Sequence, residues 1–184
     1  MWLLTGDPGI GKTTVITRVI RLLRSEPLVV GGVTSREIRI SGAREGFEIM
    51  DLSSERRDRL ASIHQKEGPR MGRYRVNLRG LAEIAANAIT HALQKSEVVV
   101  CDEVGPMELL SPEFRRAVRE MASSPKPILA AIHKQMQDPV ILELRNAEDA
   151  EVLEVTAENR DELPSLLTSK ILTYLTGHAS PSQE

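Results

Sequence analysis

At 184 residues the chain is long enough to bury a substantial core and too short for two large independent domains. Its 24 Lys and Arg against 26 Asp and Glu leave a formal net charge of −2, which excludes the global positive field of a general nucleic-acid or acidic-membrane binder. With 41% hydrophobic, 27% charged and 3% aromatic residues, the composition excludes disorder and collagen-like repeats and leaves few platforms for stacking single-stranded bases.

Residues 1–5 form a short apolar run that stops at Gly6, which predicts a strand and a turn. Over residues 14–24, Val15, Ile16, Val19, Ile20, Leu22 and Leu23 fall on one helical face, opposite Arg18, Arg21 and Arg24. Residues 28–33 predict a second strand. Two extended stretches, 34–40 and 46–52, flank the turn signal Ser41-Gly42-Ala43-Arg44-Glu45 and predict a β-hairpin. Residues 55–72 are polar and ambiguous, 73–77 predict another strand, and Leu81, Ile84, Ala85, Ala88, Ile89, Ala92 and Leu93 mark a helix. The β-branched run 97–101 ends in Asp102-Glu103. Ser111 then caps a helix with Pro112 in its first turn and a stripe of Phe114, Ala117, Val118 and Met121. Residues 128–132 and 151–155 predict the fourth and fifth core strands, and a last helix spans about 164–175 with Gly177 as its stop. This alternation predicts one α/β domain over residues 1–178, built on a mainly parallel sheet covered on both faces, with a frayed tail at 179–184.

Cys101 is the single cysteine, so no intrachain disulfide framework exists and a reducing, cytoplasmic setting is expected. No apolar run approaches the roughly 18 residues that cross a bilayer. The N-terminus lacks the basic flank and long apolar stretch of a signal peptide, and no membrane partner is expected.

Gly6-Asp7-Pro8-Gly9-Ile10-Gly11-Lys12-Thr13 satisfies G-x-x-x-x-G-K-[ST], between an apolar strand and an amphipathic helix. The glycines let successive N–H groups turn toward phosphate oxygens, and the helix N-terminus adds positive potential. Lys12 is expected on the β- and γ-phosphates, Thr13 on Mg²⁺, and Thr14 continues the cradle. Asp102, at the end of an apolar strand, lies where a Walker-B carboxylate reaches the metal. Glu103 beside it is placed to polarise the attacking water.

The segments 5–14, 32–39 (Gly-Val-Thr-Ser-Arg-Glu-Ile-Arg), 42–47 (Gly-Ala-Arg-Glu-Gly-Phe) and 102–109 (Asp-Glu-Val-Gly-Pro-Met-Glu-Leu) together resemble the thermophilic nucleoside-triphosphatase family, whose vertebrate branch is the cancer-related nucleoside triphosphatase. The likeness runs in matching order from residue 1 to about residue 135 and, with the β-αβ tail, covers nearly the whole chain. It implies a three-layer P-loop fold with a RecA/AAA+-like core and Mg²⁺-dependent hydrolysis of nucleoside 5′-triphosphates to diphosphate and phosphate. Base selectivity is implied to be loose, so ATP, GTP, CTP and UTP are all expected substrates. Many relatives carry Lys where this chain has Pro106.

Charge on a transferring phosphoryl group is often neutralised by a guanidinium. Arg36, Arg39, Arg44 and Arg115 are the candidates, and Arg44, read as part of a swinging hairpin turn, is preferred. His133 and Lys134 follow the fourth core strand, where a polar sensor of the γ-phosphate is expected. Met107 and Glu108 are read as packing and capping residues, Cys101 and Trp2 as core. His64, His91 and His178 share no metal-ligand spacing.

Two alternatives stay open at this level. A P-loop kinase needs an acceptor pocket, and residues 34–77 are large enough to form one. A guanine-nucleotide switch matches Asp102-Glu103-Val104-Gly105 as D-x-x-G, yet Asn146-Ala147-Glu148-Asp149 has alanine where N-K-x-D requires lysine.

Overall fold

The computed structural model describes residues 1–178; the tail expected over 179–184 lies outside the described residues. In chain order the elements are β1 (Trp2–Thr5), α1 (Lys12–Leu23), β2 (Val30–Ile40), β3 (Ala43–Asp51), β4 (Arg57–Ser62), β5 (Arg70–Met71), β6 (Tyr74–Val76), α2 (Leu78–Gly80), a π-helical stretch Leu81–Ala86, α3 (Asn87–Lys95), β7 (Val98–Val104), a 3₁₀ turn Glu108–Leu110, α4 (Pro112–Ala122), β8 (Ile128–Ile132), α5 (Pro139–Arg145), β9 (Glu151–Glu154) and α6 (Leu163–His178).

The described strands form one open sheet in the order β5-β6-β4-β3-β2-β7-β8-β1-β9. The stretch from β2 to β9 is parallel, and β3, β4, β6 and β5 extend it antiparallel. The parallel part is the RecA/AAA+-like core that the sequence resemblance implies.

Strand alternation decides which helices cover which face. Trp2 and Leu4 of β1, Val98 and Val100 of β7, and Leu129 and Ala131 of β8 pack with Val15, Ile16 and Val19 of α1 and Leu167 and Ile171 of α6. Their neighbours Leu3, Val99, Cys101, Ile128, Ala130 and Ile132 face the opposite layer, built by the π-helical stretch, α3, α4 and α5. Each fully buried aliphatic side chain stabilises the fold by about 1.5–3 kcal/mol relative to exposure. A single strand such as β1 therefore welds two layers.

The predicted hairpin forms, with a shorter turn than expected. β2 runs unbroken through both stretches read as separate strands, and only Ser41 and Gly42 lie between β2 and β3. Both have positive φ, 49° and 82°, the geometry of a two-residue turn matched to strand twist. Arg44 consequently belongs to β3, paired with Arg39, and not to a turn. Residues 55–72, ambiguous in sequence, supply β4 and β5, the strand predicted over 73–77 forms as β6, and Leu60, Ala61, Tyr74 and Val76 are buried in the second layer.

One helix boundary differs from expectation, and one helix is additional. Gly177 lies within α6, which runs to His178; its glycine costs only about 1 kcal/mol in a helix. α5 was not anticipated, because seven residues are too few for a helical period to emerge. Its start was marked all the same by the cap Asp138, which accepts from the Val140 N–H at 2.9 Å, followed by Pro139. Ser111 caps α4 as expected, accepting from the Phe114 N–H at 3.2 Å.

Candidate active site

In a parallel sheet, loops that follow the strand C-termini share one edge, and ligands bind there. That edge collects residues 6–11 after β1, the end of β7, residues 133–138 after β8, and the connection from β9 to α6.

The loop after β1 is shaped by its first and last glycines. Gly6 has φ +146°, and a Cβ there would lie 2.8 Å from the Val155 carbonyl oxygen, so any larger residue would displace the chain. Gly11, the N-cap of α1, is left-handed at φ 118° and offers no side chain to cap the helix. The first turn of α1 carries no acidic residue, and the exposed helix N–H groups and dipole are left for an anion. Lys12 is buried and folded back, its Nζ donating to the Gly6 carbonyl at 3.1 Å. The ammonium group is thus held inside the loop.

β8 separates β1 from β7, yet the helix after the loop spans the gap: the Thr13 hydroxyl donates to Asp102 Oδ1 at 3.3 Å. Asp102 is 1% exposed, and its Oδ2 has no partner. Burial, then the charge of Glu103, push its carboxyl up to about 7, against the pull of the Thr13 hydroxyl and the Lys12 charge. A buried carboxylate with an unused oxygen beside a hydroxyl is a donor set for a hard divalent cation. Among the described residues no group of three or more His, Cys, Asp or Glu forms a metal cage, so such a cation would draw further ligands from phosphate oxygens and water.

The Asp102–Glu103 peptide is cis, and Glu103 is half-buried. Glu103 Oε1 and Glu108 Oε2 converge on Gly105, 3.4 and 3.1 Å from where a Cβ on it would stand. Glu108 is pushed up to about 8, chiefly by burial and by the charges of Glu103 and Asp102, although its own N–H and that of Gly105 favour the anion. Glu108, expected as a capping residue, is also a third carboxyl beside the Asp102-Glu103 pair.

The other expected residues divide. Lys134 reaches the loop, its Nζ 3.1 Å from Asp7 Oδ1 and 2.6 Å from Glu154 Oε1. His133 stays at the end of β8, its backbone N–H donating to the Val104 carbonyl at 3.2 Å. Arg115 makes two bonds to Asp138, at 2.8 and 3.0 Å, and one to the Leu109 carbonyl. Arg36 pairs with Glu48 and Arg39 with Glu37. Arg44 lies in β3 and not in a turn. It pairs with Glu37 at 2.9 Å and its guanidinium lies 5.6 Å from the Phe47 ring centroid. In register it sits opposite Arg39, six positions beyond Val33, the last β2 residue paired to β7, or about 20 Å along an extended strand.

Sequence reasoning missed Arg160 and Asp161, on the connection between β9 and α6. Arg160 donates to the Ile10 carbonyl at 3.4 Å, and its Cδ is 3.8 Å from where a Cβ on Gly11 would stand. No motif marks them; the one available signal was their place just beyond a core strand. The Asn146 to Asp149 segment lies at the opposite edge, where the Met1 amine donates to the Asp149 carbonyl at 2.9 Å. A guanine-reading role for it is thereby removed.

The profile of the family described as NTPase matches residues 1–168. The chain belongs to this NTPase family. Nucleoside-triphosphatase THEP1 of Methanosarcina acetivorans is 43% identical over 173 residues, 94% of this chain and 97% of that protein. The protein of the same name from Methanopyrus kandleri is 44% identical over 173 residues, 94% and 95% of the two chains. Among solved structures, THEP1 from Aquifex aeolicus aligns with a TM-score of 0.82 at 29% identity, covering 93% of this chain and 99% of that one. A human cancer-related nucleoside triphosphatase aligns with a TM-score of 0.77 at 34% identity, covering 97% and 98%. The NTPase family likeness therefore extends past residue 135 to the connection that carries Arg160.

Proposed function

We propose that the chain hydrolyses nucleoside 5′-triphosphates, ATP, GTP, CTP and UTP among them, to diphosphate and phosphate with Mg²⁺ as cofactor. The family to which it belongs supports the reaction. The observation that carries the site is the buried, unpartnered oxygen of Asp102 beside the Thr13 hydroxyl, one residue from Lys12.

The backbone of Gly6, Asp7, Pro8, Gly9, Ile10 and Gly11 and the N–H groups of Lys12, Thr13 and Thr14 wrap the polyphosphate. Lys12 exchanges its bond to the Gly6 carbonyl for the β- and γ-phosphate oxygens. Thr13 and Asp102 would hold Mg²⁺, which when bound neutralises charge on those oxygens. Glu103 accepts the proton of the attacking water, a task worth about 10²- to 10⁴-fold in rate. Arg44 is given no part, because its guanidinium is already committed to Glu37 and Phe47. Residues 34–77, the region offered for a kinase acceptor pocket, extend the sheet as β2 to β6, and the family supports hydrolysis over transfer. No described helix is long and apolar enough to cross a membrane, and the lone buried thiol Cys101 suits the reducing cytoplasm we propose as its place.

Phosphate release from the four triphosphates, with Mg²⁺ and with excess chelator, tests this reading. Release from all four that stops on chelation is expected. Transfer to an added acceptor exceeding release to water would overturn it.

A further inference from the structure

A cavity of about 160 Å³ opens beside the phosphate loop, lined by Gly11, Thr14, Val15, Arg18, Arg160 and Asp161. We infer that it receives the nucleoside end of the substrate, with the Arg160 guanidinium as a stacking surface that accepts any base. This rests on the nucleotide reading above and adds to it the subsite that sets base tolerance.

Polarity along the loop supports the assignment. Lys12 and Asp102 mark the γ end, since Lys12 serves the β- and γ-phosphates and Asp102 the metal, while the N–H groups at the start of α1 serve the α- and β-phosphates. Gly11 and Thr14 border both that end of the cradle and the cavity, so a chain leaving the α-phosphate meets the cavity next. Its size agrees. Sites that enclose a whole small ligand begin at roughly 300 Å³; this one is about half of that and suits one ring system while the loop holds the phosphates.

The lining chemistry explains what is recognised. Arg18 and Asp161 neutralise each other across 2.9 Å, so neither is a free charge for a base edge. The lining contains no Asn, Gln or aromatic residue to read a donor and acceptor pattern. Arg160 is tethered by the Ile10 carbonyl and lies over Gly11, where the missing side chain leaves room. A tethered guanidinium offers a flat cationic face, which attracts the π-system of purines and pyrimidines alike.

Calorimetry on the full chain tests this without turnover, using ADP, GDP, CDP and UDP as probes and inorganic tripolyphosphate as the probe that lacks a nucleoside. Arg160→Ala is exposed and leaves the core intact. It is expected to weaken all four nucleotides about 5- to 30-fold, purines most, and to leave tripolyphosphate within about twofold. Arg160→Lys should recover only part of the loss, because an ammonium lacks the planar face. Unchanged nucleotide affinity would overturn the inference. So would an equal loss for tripolyphosphate, which would place Arg160 on phosphate, or a loss confined to one base. Failure of the hydrolase reading appears separately, as absent phosphate release by the parent protein, and leaves the binding comparison standing.

Discussion

Thr13 and Asp102 are 89 positions apart in the chain and bonded at 3.3 Å, hydroxyl to carboxylate, across a strand that belongs to neither. The contact exists only because α1 starts at Lys12 and turns its first face toward the end of β7. It leaves one Asp102 oxygen without a partner, a lone-pair donor suited to a divalent cation.

Asp102→Asn keeps the shape and removes that charge. It should bind nucleotide alone about as well as the parent and raise the Mg²⁺ concentration for half-maximal phosphate release roughly 10- to 100-fold. A Mg²⁺ titration at fixed ATP measures this, and an unshifted midpoint would move the metal elsewhere.

Glu103→Gln separates chemistry from binding. Mg²⁺-ATP affinity should stay within about threefold while the single-turnover rate falls roughly 10²- to 10⁴-fold. If the rate held, the proton would have to go to another group, and Glu108, converging on the same glycine, is the next to replace.

Glu108 makes stability depend on pH. A free glutamate titrates near 4.3, whereas burial and the charges of Glu103 and Asp102 push this one up to about 8. Between those values the folded chain holds a proton that the unfolded chain releases, so stability falls as pH rises through the window and stays low above it. Glu108→Gln removes this contribution and leaves that of Asp102. Its unfolding free energy, from denaturant titration, should match the parent near pH 5 and exceed it near pH 9, by on the order of 1–3 kcal/mol. Parallel pH profiles for the two proteins would show that the burial cost is met in some other way.

Arg44→Ala should leave the catalytic rate within about threefold and cost less than about 1 kcal/mol of stability, since a half-exposed ion pair and one ring contact are all it removes. Loss of activity by two orders of magnitude would return the arginine to the reaction.

How much of this was legible beforehand depends on how each part is encoded. Gly6 to Thr13 and Asp102-Glu103 announce themselves, because phosphate and metal chemistry impose fixed residue types at fixed spacing. A mainly parallel sheet covered on both faces follows from the alternation of strands and helices, whereas the order of the strands is set by long-range pairing that no local pattern encodes. The arginines were opaque, since a guanidinium's role lies in its partner. Nothing local distinguishes Arg44, held by Glu37, or Arg115, held by Asp138, from Arg160, held at the phosphate loop by a carbonyl 150 residues away.

The position of β1 governs when the molecule becomes whole during synthesis. β1 takes its place between two strands made more than a hundred residues later, with Trp2 beside Leu129 on one side and Glu151 on the other. A chain leaving the ribosome exposes its phosphate-loop sequence early, yet that loop has no sheet to stand in until β8 and β9 emerge. Pairing over such separations is slow, because loop closure precedes its reward. A product terminated before β8 therefore carries the nucleotide signature without a nucleotide site, and only a chain that has reached β9 acquires both at once.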